Sequence, residues 1–432
     1  MTWPVKTFLL ILAIASVLAG CGGGSNSSSD VQTQVRVVNV SPGTGNIKVA
    51  LAGVVTTSSV PYHDATGYLF VASGTPEFTV FSSTTGASLY DVSSLSISSG
   101  TRSTIFVYGG GTNVTATLLA DDTTAASAGH FSLRVSHSAT GIGALDLYLL
   151  PAGTAIQDAT PAYSALDYAA TTAFAEYASG SYTVVLTPAG TKEAIYDSGA
   201  RAFPETGKVT LLVFGTGSGK LANAALLQDD GSGTTTFIDN RYARFRFVNA
   251  LPEAPAADVL VDGTVASAGV AFGGLAAYGL ASAGVRDIKV QASSAPGVYL
   301  YANPRMLSAG VDYSLVAYGA AGGGPAGLLA LQDNNLPPAS GKAKLRFVNA
   351  VSDGSAYDAY ANDVVLLSNI GFATGSSYQQ VDPGTFSLGY APAGTGQQAV
   401  RLSGQQLDAG HVYTIYLYGR SGSAAAVLAE DD

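Results

Sequence analysis

The stretch Arg246-Phe247-Val248-Asn249-Ala250 occurs a second time, letter for letter, at Arg346-Phe347-Val348-Asn349-Ala350. Two looser copies stand earlier in the chain, at Arg36-Val37-Val38-Asn39-Val40 and at Arg134-Val135-Ser136-His137-Ser138. Successive copies are about one hundred residues apart, the size of a small β-sandwich domain. This spacing predicts a chain that is built from four similar units.

The composition supports several β-rich units. The chain has 432 residues, too many for a single compact core, so that three or four domains are expected. Apolar residues make up 47% and charged residues 12%, and the charged share is about half of what globular proteins normally carry. This profile argues against a disordered chain and favours strands joined by many tight turns.

The charge and the cysteine count exclude two properties. The formal net charge is −10 and no run of lysine or arginine occurs, so the chain has no basic footprint for nucleic acid. Cysteine appears once, as Cys21, which excludes a disulfide bond within the chain.

The N-terminus predicts export. Lys6 precedes an apolar run over 8–20 that is too short to span a bilayer, which needs about twenty residues. This pattern is typical of a secretory signal peptide. The run ends Leu18-Ala19-Gly20-Cys21, which resembles the lipobox of bacterial lipoproteins. The alternative is an ordinary signal peptide that contains a cysteine by chance.

The lipobox resemblance implies that residues 1–20 are cut off and that Cys21 carries the lipid. Several acyl chains would then hold the protein on the cell envelope. Residues 21–33 form the lipidated cysteine and a Gly/Ser tether. Gly22 stands where lipoproteins of the inner membrane typically carry Asp, so the resemblance favours the outer membrane if the source has two membranes.

The four units, called repeats 1 to 4, are predicted over 34–122, 130–230, 243–335 and 344–432. Each opens with the arginine strand and has a strong late strand, which the sequence predicts over 103–109, 209–214, 313–319 and 413–419. Further strands are expected at 146–150 and 181–186. Asp258 to Gly263 reads as a strand that enters an Asp-Gly hairpin turn.

After residue 30 no long helical period appears, and short apolar runs alternate with Gly, Ser, Asp and Pro. The predicted fold is all-β, with four tandem immunoglobulin-like β-sandwich modules. The connections over 123–129, 231–241 and 336–341 are short and polar. We therefore expect modules that fold separately, like beads on a string.

The repeated strings resemble a known family. Arg246 to Ala250, the strand from Asp258 to Gly263 and the late strand ending Tyr318-Gly319 are similar to the bacterial and archaeal domain-of-unknown-function family 4397. Repeat 2 fits worst at its opening, although it contains the family string Pro188-Ala189-Gly190-Thr191. The resemblance covers nearly everything after the tether and implies an extracytoplasmic β-domain without an assigned activity.

Strand alternation assigns the repeated residues to two faces. The inward face should carry Val35/Val37, Leu133/Val135, Phe245/Phe247 and Leu345/Phe347. The same inward parity takes in Asn39, His137, Asn249 and Asn349, which we expect to be buried and bound to loop backbone. The outward face should carry Arg36, Arg134, Arg246 and Arg346. We expect these arginines to be exposed and to deter edge pairing, and the alternative is a role as carboxylate or phosphate ligands.

No metal or catalytic set is predicted. Each repeat ends in an Asp-Asp or Asp-Asn pair, which we interpret as a strand terminator, with calcium at the junctions between repeats as the alternative: Asp121/Asp122, Asp229/Asp230, Asp333/Asn334 and Asp431/Asp432. The four histidines show no metal-ligand spacing. The stretch from Gly215 to Lys220 lacks the spacing of a phosphate loop and reads as a glycine-rich hairpin.

Three functions remain open from the sequence. The first is a non-enzymatic cell-envelope lipoprotein without cofactors, whose modules serve binding, adhesion or envelope structure. Its partners would be the membrane, through Cys21, and an envelope protein or a glycan. The second is an array of carbohydrate-binding modules. The third is a hydrolase, for which no nucleophile–base–orienter set is legible.

Overall fold

The structure is a computed structural model that describes residues 32–41, 44–110, 113–216, 219–319, 326–336, 338–339, 341–352, 354–420 and 422–431. The expected signal peptide, Cys21 and most of the tether lie outside the described residues. In the described part, no helix is long and apolar enough to cross a membrane.

The described chain is all-β, as the sequence predicts, and its strands form eight sheets. The helical element among the described residues is a single 3-10 turn, Ile156–Asp158. Each repeat contributes two sheets that pack face to face as a sandwich. One of them contains the arginine strand and is called the arginine sheet; the other is called the second sheet.

Repeats 1 and 2 have closely related strand orders. Repeat 1 contains β1 (Gln34–Asn39), β2 (Ile47–Leu51), β3 (Val54–Val55), β4 (Asp64–Ala65), β5 (Leu69–Phe70), β6 (Phe78–Ser82), β7 (Ser88–Val92), β8 (Arg102–Gly110) and β9 (Asn113–Ala120). Its sheets run β4-β1-β8-β9, with β5 also on β1, and β3-β2-β6-β7. Repeat 2 contains β10 (His130–Ser138), β11 (Leu145–Pro151), β12 (Tyr163–Leu166), β13 (Ala175–Ala178), β14 (Gly180–Pro188), β15 (Tyr196–Phe203), β16 (Lys208–Gly215), β17 (Ala222–Gln228) and β18 (Thr235–Ile238). Its sheets run β13-β10-β16-β17-β18 and β12-β11-β14-β15.

Repeats 3 and 4 follow the same plan. Repeat 3 contains β19 (Tyr242–Ala250), β20 (Ala256–Val261), β21 (Thr264–Ala271), β22 (Gly279–Ser282), β23 (Gly284–Ala292), β24 (Tyr299–Leu307), β25 (Asp312–Tyr318) and β26 (Gly327–Asp333). Its sheets run β22-β19-β25-β26 and β21-β20-β23-β24. Repeat 4 contains β27 (Ala343–Val351), β28 (Tyr357–Ala361), β29 (Val364–Ile370), β30 (Thr374–Gly375), β31 (Gln379–Val381), β32 (Gly384–Pro392), β33 (Val400–Leu407), β34 (Val412–Gly419) and β35 (Ala425–Glu430). Its sheets run β30-β27-β34-β35, with β31 also on β27, and β29-β28-β32-β33.

In every repeat the arginine strand pairs in parallel with the late strand. The register places Arg36 beside Thr104 and Arg346 beside Thr414. Parallel neighbours need a long crossover, and here the crossover contains the whole second sheet. Residues from the two ends of a repeat therefore become neighbours.

Four hydrophobic cores fill the sandwiches. The first is built from Val35 and Val37 of the arginine sheet and from Ile47 and Val49 of the second sheet. The other three cores take in the remaining residues predicted for the inward face, namely Leu133/Val135, Phe245/Phe247 and Leu345/Phe347. The inward assignment is therefore confirmed in all four repeats.

The outward assignment of the arginines is wrong. The four side chains are buried, with exposures of 0% for Arg36, 7% for Arg134, 3% for Arg246 and 2% for Arg346. The reason is that the outer faces of the arginine sheets do not meet water. They carry apolar residues and pack against each other, repeat 1 on repeat 2 and repeat 3 on repeat 4.

Two hydrophobic clusters lie between the facing arginine sheets. Between repeats 1 and 2 the cluster contains Val38, Val40, Phe106, Tyr108, Leu212, Phe214, Ala225 and Leu227. Between repeats 3 and 4 it contains Val248, Ala250, Val316, Val348, Ala350 and Tyr416. The expectation of beads on a string is therefore wrong, because the repeats pack in two pairs.

Two connections also differ from simple linkers. Within 231–241, β18 adds an antiparallel strand to the edge of β17, so that repeat 2 extends past its predicted end at residue 230. The glycine-rich stretch connects β16 and β17, which pair antiparallel as the predicted hairpin requires. Its Thr216 hydroxyl donates to the Gly310 carbonyl oxygen at 2.8 Å, and the Lys220 backbone N–H donates to Asp312 at 3.2 Å. Thr216 and Lys220 thus join repeat 2 to repeat 3.

Candidate functional site

The repeated arginines lie at the centre of the interface between facing sheets. Each guanidinium Nε donates to a hydroxyl group on the adjacent late strand. The distances are 2.6 Å for Arg36 to Thr104, 2.6 Å for Arg134 to Thr210, 3.0 Å for Arg246 to Ser314 and 3.0 Å for Arg346 to Thr414. The parallel register therefore gives every arginine a hydroxyl partner inside its own repeat.

Each of these hydroxyl groups donates in turn to the first aspartate of the acidic ending. The distances are 2.9 Å for Thr104 to Asp121, 2.6 Å for Thr210 to Asp229, 2.9 Å for Ser314 to Asp333 and 2.5 Å for Thr414 to Asp431. The side chains of all four aspartates are buried. The strand-terminator interpretation is incomplete, because these carboxylates point into the interface. The described residues contain no group of three or more His, Cys, Asp or Glu that could hold a metal ion.

An aromatic ring completes the set in each repeat. Tyr68, Phe174, Tyr278 and Tyr378 lie 5.3, 4.5, 5.0 and 4.6 Å from the guanidinium carbons of the four arginines. The three tyrosines also donate to the aspartates of their own repeats. Burial, reinforced by the neighbouring aspartate, raises the pKa of each of these three tyrosines. These rings were not predicted from the sequence, although each directly precedes a strand that pairs with the arginine strand.

The ion pairs cross from one repeat to the next. In what we call the N-terminal cluster, Arg36 and Arg134 each lie 3.6 Å from Asp229 and 3.8 Å from Asp121. In the C-terminal cluster, Arg246 binds Asp431, and Arg346 binds Asp333 at 2.6 Å. The pairing is reciprocal, as in an interface with two-fold symmetry.

The second residue of an acidic ending also reaches the neighbouring repeat. Lys208 of repeat 2 donates to the Asp122 carboxylate of repeat 1 at 2.5 Å. Lys344 of repeat 4 donates to the Asn334 backbone and side-chain oxygens of repeat 3, at 2.8 and 3.0 Å. Burial lowers the pKa of Lys344 to about 8.

The two clusters hold their charges differently. In the C-terminal cluster, burial opposes the charge on Arg246 and Arg346, but the surrounding acidic and phenolic groups outweigh it and raise the pKa of both. In the N-terminal cluster, burial lowers the pKa of Arg134 and raises the pKa of Asp229 to about 7. The charged state is therefore better stabilised between repeats 3 and 4 than between repeats 1 and 2.

The repeated asparagines lie where the sequence predicts. Asn349 is fully buried, and its amide nitrogen donates to the Ser355 and Ile370 carbonyl oxygens at 2.8 and 3.1 Å. Asn39 and Asn249 bind loop backbone in the same way. His137 takes this place in repeat 2, with Nε2 at 3.1 Å from the Gly143 carbonyl oxygen, and burial lowers its pKa. The prediction of buried residues bound to loop backbone is confirmed.

A second carboxylate recurs in three repeats and was not predicted from the sequence. Asp146, Asp258 and Asp358 lie on the central strands of three second sheets. Each accepts a hydrogen bond from the backbone N–H of a residue with positive φ, at Ala165, Gly269 and Asn369 respectively. Each pairing lies next to a register shift between strands. These carboxylates stabilise bulges, and the signal that could have revealed them is an Asp inside an apolar strand.

In both clusters the guanidinium groups and the carboxylates pair with each other. A buried ion pair that is fully partnered adds little net stability, but the loss of one partner is strongly destabilising. The arrangement is therefore suited to specifying which faces of the repeats meet.

Comparison with known proteins identifies a family whose function is unknown. The family model described as Domain of unknown function (DUF4397) matches residues 33–148, 243–353 and 345–432. No curated protein matches the chain. Among solved structures, the Bacillus anthracis TIE protein is 10% identical, with 90% of this chain and 69% of that chain covered, at a TM-score of 0.16. A TM-score of that size carries no argument about fold or function. The matches to the family model span more than half of the sequence, and the chain belongs to the DUF4397 family.

Proposed function

We propose that this protein is a non-enzymatic lipoprotein of the cell envelope, in which four immunoglobulin-like modules form a stiff array that displays surface loops. The observation that carries this proposal is the burial of the repeated Arg, Thr/Ser and Asp residues between paired sheets. These residues hold the modules together, so that binding, adhesion or envelope structure falls to the exposed loops and hairpins.

One repeated surface feature supports a display role. The hairpins β2–β3, β20–β21 and β28–β29 turn through residues with positive φ and then expose aliphatic side chains. These are Val54, Val55, Val265, Val364 and Val365, with Val54 69% exposed and Val364 68% exposed. Three hairpins with the same apolar tip offer three contact points of the same chemistry.

Attachment to the envelope rests on Leu18 to Cys21 and on the tether behind them. We expect Cys21→Ser to leave an uncut precursor or to release the protein into the soluble fraction. The measurement is fractionation of expressing cells, with and without detergent. Normal cleavage together with unchanged, detergent-requiring membrane association in this variant would refute the lipid anchor.

A carbohydrate-binding array remains the second candidate because of one aromatic residue. Phe70 is 68% exposed, and it lines a cavity of about 480 Å³ together with Gln32, Thr33 and Ser73. A ring beside polar groups is a suitable platform for a sugar. The test is a glycan array on the intact protein and on Phe70→Ala. A glycan that binds the intact protein and not the variant would favour this candidate over display by the valine hairpins.

A further inference from the structure

The N-terminal cluster contains polar side-chain atoms that the described residues leave without hydrogen bonds. Arg36 Nη2, Arg134 Nη2 and Asp229 Oδ1 are buried and have no hydrogen-bond partner among the described residues. The nitrogens lie 3.6 to 3.8 Å from the carboxylate oxygens of Asp121 and Asp229. These distances are too long for direct N–H···O bonds, which lie at about 2.7–3.2 Å.

We propose that one water molecule binds at the centre of this cluster, between the two Nη2 atoms and the two carboxylates. A buried water needs two to four polar partners, and a polar separation beyond about 3.5 Å is typical of a water bridge. Here two N–H groups donate to the water, and the water donates to Asp229 and Asp121. Both hydrogens and both lone pairs of the water are thereby used.

The charges in the cluster favour water over an ion. Two guanidinium groups face two carboxylates, so that the fully ionised set has no net charge. A cation would meet the guanidinium groups and an anion would meet the carboxylates. A neutral molecule that both donates and accepts suits all four groups.

In the C-terminal cluster a protein hydroxyl group accepts from one of the corresponding guanidinium groups. The Tyr416 hydroxyl accepts from Arg246 Nη2 at 2.7 Å and donates to the Ser314 hydroxyl at 2.9 Å. Tyr416 pairs with Val348 on the arginine strand, and the matching residue of repeat 1, paired with Val38, is Phe106. The matching residue of repeat 2 is Leu212, paired with Ser136. Neither Phe106 nor Leu212 has a hydroxyl group, and the water supplies it.

The test is a crystal structure of the intact protein at a resolution that shows ordered water. We expect one peak of density at about 2.6–3.2 Å from Arg36 Nη2, Arg134 Nη2 and Asp229 Oδ1. Direct guanidinium–carboxylate contacts with no density between them would overturn the proposal. So would a peak that gives an anomalous signal after bromide is exchanged into the crystal, because the site would then hold an anion.

Two variants that add or remove a single hydroxyl group provide a second test of the water site. In Phe106→Tyr we expect the new hydroxyl to replace the water, so that the peak disappears. In Tyr416→Phe we expect a water peak to appear beside Arg246 Nη2. The proposal fails if the peak persists beside the new hydroxyl of Phe106→Tyr, or if Tyr416→Phe gains no density.

Discussion

Arg346 is the charge through which repeat 4 holds repeat 3. Its guanidinium binds Asp333 of the neighbouring repeat at 2.6 Å, donates to Thr414 at 3.0 Å and lies over the ring of Tyr378. Every part of the side chain therefore has a partner, although the residue is 2% exposed. Such a charge is tolerated in an interior only with this degree of pairing.

Removal of this guanidinium should destabilise the protein strongly. Arg346→Ala leaves Asp333 buried without its close ion-pair partner, and a broken buried pair costs about 3–5 kcal/mol. The matched control is Arg401→Ala, because Arg401 pairs with Asp363 at the surface of the same repeat and exposed pairs contribute about 0–1 kcal/mol. Urea unfolding of the intact protein measures both. Equal effects of the two variants would contradict the interior role of Arg346.

Substitution of Asn349 should cost less stability than substitution of Arg346 and more than substitution of Arg401. Asn349→Ala removes an amide that binds the Ser355 and Ile370 carbonyl oxygens. Each buried group left without a partner costs about 1–3 kcal/mol. We expect urea unfolding to rank Arg346→Ala as most costly, Asn349→Ala next and Arg401→Ala last. A neutral Asn349→Ala would contradict the assignment of this amide to the loop backbone.

Asp229 should make the first pair of repeats sensitive to pH. Burial raises the pKa of its carboxyl to about 7, against the opposing effects of the Thr210 hydrogen bond and of Arg134. The folded-state pKa lies above the unfolded value of about 3.9. The contribution of protonated Asp229 to the free energy of unfolding is therefore complete below about pH 4 and is lost as the pH rises through about 7.

The measurement is the free energy of unfolding of the intact protein and of Asp229→Asn between pH 4 and pH 8. We expect the unsubstituted protein to lose stability relative to the variant as the pH rises. A difference that stays constant over this range would show that Asp229 does not titrate there.

Residue roles were only partly legible in the sequence. The role of the asparagines could be predicted because their side chains share the inward face with the core residues. A buried amide must be hydrogen-bonded, and the nearby loop backbone supplies its partners. The arginines could not, since alternation separates two faces without showing whether a face meets water or another sheet. One sign was available: Val38, Val248 and Val348 share the parity of the arginines, and apolar residues on both faces indicate a strand that is buried on both sides.

At the scale of elements, strands and turns were the most predictable part. The late strands occur as predicted, and Asp262-Gly263 forms the hairpin turn with both residues at positive φ. The bulges of the second sheets were not predicted, because the Asp that holds each bulge binds backbone that lies far along the chain. In repeat 4, Asp358 accepts from Asn369 and Gly394, at 2.7 and 2.9 Å.

This carboxylate should protect two backbone amides from exchange. Asp358→Ala removes the acceptor of the Asn369 and Gly394 N–H groups, and we expect a loss of about 1–3 kcal/mol for each group that stays buried without a partner. Hydrogen exchange should accelerate at these two amides while β34 keeps its protection. Unchanged exchange at both amides would show that the bulge does not depend on Asp358.

At the scale of the whole molecule, the pairing of repeats could not be read from strand patterns. It depends on two faces about one hundred residues apart that complement each other in charge and shape. The repeated Arg, Thr/Ser and Asp residues did carry a signal, because charges of both signs recur at fixed places in all four repeats. Independent folding of each module stays a prediction, and the buried interface makes a pair of repeats the more natural unit of stability.

The most direct test of this account is a double-mutant cycle across the C-terminal cluster. Arg246 belongs to repeat 3 and Asp431 to repeat 4, and their side chains form a buried ion pair. Arg246→Met, Asp431→Leu and the double variant are compared by urea unfolding of the intact protein, with Arg401 and Asp363 as the exposed control pair. We expect a coupling energy of at least about 1.5 kcal/mol between Arg246 and Asp431, and about 1 kcal/mol or less for the control. Additive effects of Arg246→Met and Asp431→Leu, within about 0.5 kcal/mol, would contradict the pairing of repeats through buried charges.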